Sequence, residues 1–326
     1  MDGASSFPLT RPVVCVVGPT ASGKTDLAQR IALEIGGEVV SADSMQVYRG
    51  MDIGTGKLPA EQRLVAHHGL DLVDPGEPYS AALFQTYARE CFRRIDAAGR
   101  RSVLAGGTGF YVRAAVDAYE FPEGEQIGNP VRDRWNAFVR EHGAQALWEE
   151  LRRRDPESAA IIPPGDVKRV VRAFELLDDG TTYAAQRRRL ASLPQLVPAC
   201  FIGLSVTPDV LAGRIDARVE QMVADGLVEE VEGLLARGFR SAVTSSQAIG
   251  YKEIVEALEG RATLAQAVED IKTATRRYAK RQRTWFRKDR RISWIDADCP
   301  DVETLLQRSL AIIDAFERDA DAGRRP

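Results

Sequence analysis

The chain has 326 residues, 44% hydrophobic and 28% charged, long enough for a full core plus one smaller domain and ordinary for a globular protein. A formal net charge of -3 excludes a uniformly basic coat, so any nucleic-acid site must be a local patch. Cys15, Cys91, Cys200 and Cys299 form no C-x-x-C pair, and His67, His68 and His142 are too few and too scattered for a metal centre, which argues against zinc and for a reducing compartment. Residues 1–12 lack a signal-peptide core and no run reaches membrane-spanning length. A cytoplasmic protein without membrane association is expected, with frayed ends at residues 1–10 and 319–326.

Val13–Val17 is a short β-branched run of the kind buried in a parallel sheet. It leads into Gly18-Pro19-Thr20-Ala21-Ser22-Gly23-Lys24-Thr25, which satisfies G-x-x-x-x-G-K-[ST], and then Leu27, Ile31 and Ile35 recur at helical spacing. In this strand, turn and helix, Gly18 and Gly23 let the amides around Thr20, Ala21 and Ser22 converge on an anion. Lys24 adds a point charge, and Thr25 offers a hydroxyl to magnesium. The stretch is a pocket for a di- or triphosphate.

The second strand, Glu38–Ala42, delivers Asp43-Ser44-Met45-Gln46 to its carboxyl end, the edge where ligands sit in an open α/β sheet. A Gly-spaced loop, Met51–Lys57, follows. Leu70–Val73 is expected as a strand ended by Asp74-Pro75-Gly76. Ser80 caps a helix with an apolar face of Phe84, Tyr87, Cys91 and Ile95, closed by Gly99. The next strand, Ser102–Leu104, runs into Gly106-Gly107-Thr108-Gly109. It lacks the terminal aspartate that holds the magnesium shell in many NTP-hydrolysing proteins, which argues against an ATPase motor.

From about Tyr119 the pattern becomes helices broken by Pro and Gly, and the sheet resumes with Cys200–Val206. The expected fold is therefore α/β: a P-loop parallel sheet flanked by helices, residues 11–118 and 199–318, with an inserted helical domain at 119–198. The helix opened by Pro208 carries Arg214 and Arg218 on one face. Either both guanidiniums reach the phosphate, or the face is solvated with local pairs to Asp216 or Glu220. The last long helix, from about Thr263 into Arg287, and the turn after it place ten basic residues in the twenty positions from Lys272 to Arg291. Arg276, Lys280, Arg283 and Arg287 form a stripe, with Tyr278, Trp285 and Phe286 interleaved. This suits a polyanion with stacked bases; the alternative is a solvated cationic face over core aromatics. Arg291–Ile295 reads as a closing strand.

Together these motifs resemble the tRNA dimethylallyltransferases, the tRNA isopentenyltransferase family. The resemblance rests on Gly18–Thr25, Asp43-Ser44-Met45-Gln46-Val47-Tyr48, Gly50–Thr55, Gly106–Gly109, Ile249-Gly250-Tyr251-Lys252-Glu253 and Thr275-Arg276-Arg277-Tyr278-Ala279-Lys280-Arg281-Gln282. It departs from the family at Pro163-Pro164-Gly165-Asp166, where a His-Pro-Asn-Asp run is usual, at Gly180-Thr181-Thr182, where a Thr-Gly turn is usual, and at Gly56, where alanine is common.

The resemblance implies that the P-loop holds the diphosphate of dimethylallyl diphosphate. The N6 amine of adenosine 37, beside the tRNA anticodon, then attacks the allylic carbon. It further implies Asp43 as general base, with Lys24, Thr25 and Arg218 stabilising the departing diphosphate through magnesium. Implied tRNA contacts are Asp43, Ser44, Met45, Gln46, Thr108, Arg132, Lys168, Arg169, Arg172, Gln247, Gly250, Tyr251, Lys252, Thr275, Arg276, Arg277, Lys280, Arg281 and Gln282. The insert would clamp the anticodon stem-loop, the target adenine would be flipped out, and the enzyme would act as a monomer. Rival readings are a small-molecule P-loop kinase, an isopentenyltransferase acting on free adenine nucleotide, and a tRNA-binding protein without activity.

Overall fold

The strand β1 (Val13–Val17) is buried at all five positions of the computed structural model, which describes residues 7–121, 129–241, 245–298 and 301–323. Val14 and Val16 enter one apolar core, while Val13, Cys15 and Val17 enter a second. That alternation is the two-residue period of a strand covered on both faces. After β1 come α1 (Lys24–Glu34), β2 (Gly37–Ser41), β3 (His67–His68), α2 (Ala81–Ala97), β4 (Arg101–Gly106) and α3 (Gly109–Val116). Four helices follow: α4 (Pro130–Arg154), α5 (Pro156–Ile161), α6 (Val167–Asp178) and α7 (Tyr183–Ala191). The chain then forms β5 (Ala199–Ser205), α8 (Pro208–Ala224), α9 (Leu227–Leu235), α10 (Tyr251–Leu258), α11 (Leu264–Phe286), β6 (Ile292–Asp296) and α12 (Val302–Asp321).

The six strands are ordered β3-β2-β4-β1-β5-β6, and every neighbouring pair is parallel. All carboxyl ends therefore share one edge, where the loops after β1, β2 and β4 gather. Helix α2 buries Phe84, Ala88, Cys91, Phe92 and Ile95 against one face of the sheet, while α1, α8 and α12 cover the other.

Two expectations are corrected. Leu70–Val73 is not a strand: Gly69 and Asp71 take positive φ and interrupt extended backbone, so pairing occurs earlier, at His67–His68, and only Val73 bridges to Tyr48. Residues 7–10 and 319–321 are not frayed. Phe7 is buried, Thr10 donates to Asp96 through its amide and hydroxyl, and α12 continues to Asp321. Residues 1–6, 324–326 and Cys299 lie outside the described residues; Cys15, Cys91 and Cys200 are buried and in no disulfide. Among the described residues, no helix is long and apolar enough to cross a membrane.

The chain divides into two compact units, Met1–Asp117 with Gln195–Pro326, and Ala118–Pro194. The second has its own core of Trp135, Leu147, Leu151, Val170 and Phe174, with the Trp135 and Phe174 rings stacked at 3.7 Å. Its helices begin at side-chain caps: Asn129 accepts from Val131, Asp155 from Ser158, Asp166 from Arg169 and Thr182 from Ala185. Gly143, at φ 83°, interrupts α4.

Candidate active site

Gly23 adopts φ 85° at the start of α1, a left-handed turn that L side chains resist, and it aims the first amides of the helix at the loop they close. Thr20, Lys24 and Thr25 line a cavity of about 50 Å³ together with Asp43, Ser41, Gln46, His67 and Arg218. Gly18, Ala21, Ser22 and Gly23 shape the turn. The Ser22 hydroxyl is buried behind it against Gly18, without a partner among the described residues. Burial lowers the Lys24 ammonium to about 8, with Asp43 opposing the fall and Arg218 adding to it. Burial lowers the Arg218 guanidinium as well, and Asp43 again opposes it.

A second cavity, about 290 Å³ and mostly apolar, shares Thr20, Asp43, Thr55 and Arg218 with the first. Its further walls include Met45, Ile215, Val219, Met222, Ile249 and Ile271, with Tyr278 and Arg281 from α11. Asp43 thus stands at a junction between a cationic compartment and an apolar one. Its Oδ1 accepts the Met45 amide at 2.9 Å, which orients the carboxylate at the end of β2. The Ser44 amide donates to Thr108 Oγ1 at 3.1 Å, joining the loops after β2 and β4.

The two arginines of α8 separate. Arg218 lines both cavities, whereas Arg214 donates to the carbonyls of Ala297 and Asp298, each at 2.9 Å, and so ties α8 to the chain after β6. Arg218 fits because residue 56 is glycine: a Cβ there would overlap its Nη2.

The structure also divides the predicted tRNA contacts. Gln247, Gly250, Tyr251, Thr275 and Arg281 line the larger cavity, and Arg277 and Lys280 are exposed on α11. Lys252 is half exposed beside Glu253. Other expected contacts have their polar atoms taken inside the protein. Gln46 bonds Ser41 and the carbonyls of Thr55 and Gly56, and the Tyr251 hydroxyl donates to Glu230 at 2.6 Å. Gln282 is buried between Thr20 and Gly107. Arg276 pairs with Asp216 at 2.7 Å, and Phe286 belongs to the core rather than to a stacking surface. Within the second unit, Arg132 and Arg172 both bind the buried Glu175 carboxylate. Burial raises that carboxyl's pKa, but the two arginines outweigh it and leave a net fall. Arg169 pairs with Asp166, and Lys168 is exposed.

Sequence reasoning missed Glu230. Its carboxylate accepts the amides of Asp52, Ile53 and Gly54 at 2.9, 2.8 and 3.2 Å, as well as the Tyr251 hydroxyl, and so holds the loop that seats Arg218. No local pattern marks it: Glu230 reads as one acid in the first turn of α9.

A glycine-rich loop of P-loop sequence at the carboxyl edge of a parallel sheet, beside a small cationic cavity that meets a larger apolar one at Asp43, fits an enzyme that transfers an apolar group. The sequence profile described as IPP transferase matches residues 46–289, and one described as isopentenyl transferase matches residues 12–68. The chain belongs to the IPP transferase family. It is 43% identical over 297 residues to a tRNA dimethylallyltransferase of Geobacillus thermodenitrificans, covering 90% of this chain and 93% of that one. The crystal structure of a full-length tRNA isopentenylpyrophosphate transferase from Bacillus halodurans superposes with a TM-score of 0.70 at 39% identity, covering 97% and 100% of the two chains. A eukaryotic dimethylallyltransferase acting on tRNA gives a TM-score of 0.76 at 25% identity, covering 97% and 81%.

Proposed function

We propose that this protein transfers the dimethylallyl group of dimethylallyl diphosphate to N6 of adenosine 37 in tRNAs reading codons that begin with U. The observation that carries the reading is the junction at Asp43, where the cationic cavity of Lys24 and Arg218 meets the apolar one. The diphosphate lies in the first, against the P-loop amides. The dimethylallyl group and the flipped adenine meet in the second.

Asp43 accepts the N6 proton as nitrogen bonds to the allylic carbon. The carbon–oxygen bond to the donor breaks, and its electron pair leaves with the diphosphate. Lys24, Arg218 and the amides of the loop stabilise that charge. No group of three or more His, Cys, Asp or Glu able to hold a metal occurs among the described residues. This suits magnesium, which keeps its waters and is held largely by phosphate oxygens, with Thr25 as the protein ligand. When bound, the ion neutralises charge on the leaving group.

The exposed cations of α11 suit an RNA backbone, and within the second unit the exposed Lys168 and Arg169 do so by themselves. We further place the reaction in the cytoplasm and assign it to a monomer.

The test is label transfer from dimethylallyl diphosphate to unmodified tRNA with magnesium, with adenosine monophosphate as competing acceptor. Label on tRNA, abolished in Asp43→Asn while pyrophosphate binding persists, is the expected result. Label on the free nucleotide would reassign the acceptor. Transfer from ATP alone would make the protein a kinase.

A further inference from the structure

His67 belongs to the small cavity yet has no part in the reaction proposed above. Its ring stands on β3, beside Val39 of β2, and lines the same space as Lys24, Thr25, Asp43 and Arg218. Nδ1 lies 2.9 Å from the Val65 carbonyl. A carbonyl only accepts, so Nδ1 carries the proton and donates, and Nε2 is the bare acceptor of a neutral ring. That nitrogen is buried and has no hydrogen-bond partner among the described residues. Buried polar atoms are nearly always paired, so an orphan on a side chain that lines a cavity calls for a partner.

The charges around it agree on which ligand. Arg63 and His68 stand beside it on its own segment, and Lys24 and Arg218 share the cavity with it. Of the acids on neighbouring elements, Glu38 is taken by His68 and Arg100, and Asp71 by Lys57. Among the described acids, Asp43 alone shares the cavity. Burial first, then Arg63 and His68, hold the ring below the ordinary histidine range, against the Val65 hydrogen bond. These surroundings disfavour a cation at His67, and an entering polyanion reverses that balance.

We propose that His67 is a third phosphate-binding group of the donor site: as diphosphate enters, Nε2 takes a proton from solvent and donates it to a phosphate oxygen. The step rests on the donor-site reading above. It forms one N–H bond and breaks none in the donor. Donor affinity is then linked to pH. Each unit by which bound diphosphate raises the ring's pKa is a tenfold gain in affinity at pH below the free ring's value, a gain that shrinks as pH rises from the free value and is lost above the bound one.

The experiment is calorimetric titration of the full chain with inorganic pyrophosphate and magnesium, at about pH 7.5, in two buffers of different ionisation enthalpy. The difference between buffers counts the protons taken up. His67→Gln keeps an N–H donor near the Nε2 position but does not titrate. It should retain affinity within about threefold while losing the His67 share of uptake, whereas His67→Phe should bind about tenfold more weakly. Nitrogen-15 spectra of labelled histidine should show Nε2 pass from bare to protonated when pyrophosphate is added. Equal proton uptake in His67→Gln, or a bare Nε2 in the complex, would overturn the proposal while leaving the donor site standing, provided that Lys24→Ala abolishes binding. If pyrophosphate does not bind, or binds regardless of Lys24, the donor-site reading falls and this proposal falls with it.

Discussion

The backbone amide of Thr20 donates to Gln282 Oε1 at 2.8 Å, across 262 residues of sequence. Gln282 Nε2 donates in turn to the Gly107 carbonyl at 3.0 Å. One side chain therefore fastens the phosphate loop and the loop after β4 to the basic helix α11. Gln282→Ala leaves a part-buried donor and a buried acceptor unpaired, at about 1–3 kcal/mol for the buried one and less for the other. The expected outcome is a lower Tm and a higher KM for dimethylallyl diphosphate, with tRNA affinity unchanged. An unchanged donor KM with weakened tRNA binding would instead make Gln282 a direct RNA contact.

The Lys24 amine, lowered to about 8 by burial, sets a pH limit on donor binding. Its positive form is present below that value and lost as pH rises through it, so pyrophosphate affinity should fall across that range. In Lys24→Arg the cation persists, and this limb of the profile should flatten. Affinity of the native protein that stays level to about pH 9.5 would show that the amine does not face the anion.

Cations on α11 should not contribute equally to tRNA binding. Lys280 and Arg281 are exposed, and Arg281 lies over the Tyr278 ring at 5.5 Å, beside the larger cavity. Arg276 is already engaged by Asp216, and Lys272 by Glu220 and Glu269. Reversing Lys280 and Arg281 to Glu together should weaken tRNA binding by tenfold or more at about 150 mM salt and reduce the salt slope by about 2. Arg276→Ala should change that slope by less than one such contact. Anisotropy titrations over a salt series decide, and equal effects at the two sites would dissolve the distinction.

Glu230 holds three amides and the Tyr251 hydroxyl, so Glu230→Ala strands four donors around the loop that seats Arg218. A loss of at least about 1–3 kcal/mol in urea unfolding is expected. The fall in kcat/KM should exceed the loss of folded protein, because Arg218 loses its support. Activity that merely follows the folded fraction would confine Glu230 to stability.

Much of the site was legible because it is local. A strand, the six-residue loop Gly18–Gly23 and a helix are contiguous, so the P-loop sequence declares its strand, turn and helix without reference to the rest of the chain. Asp43 was legible from its place at the carboxyl end of β2. Less was legible on α8 and α11, where periodicity places residues on a face but does not say what stands opposite. Arg214 and Arg218 share a helical spacing, yet one meets the backbone after β6 and the other a cavity. Phe286 reads like Trp285 in sequence, but one is buried in the core while the other is 44% exposed.

By itself, the sequence determined the alternation of elements, the glycine-rich turn after β1, the carboxylate after β2 and the density of charge on the last long helix, since each depends on neighbours within a few turns of chain. Only the tertiary structure decided that Gln282 fastens Thr20, that Glu230 gathers the amides of residues 52–54, that Asp43 stands between two cavities, and that His67, with an unpaired ring nitrogen, lines one of them. Those relationships join residues far apart along the chain. Hydrogen bonding and burial act on distance in space, which the order of strands in the sheet sets and which no local spacing encodes.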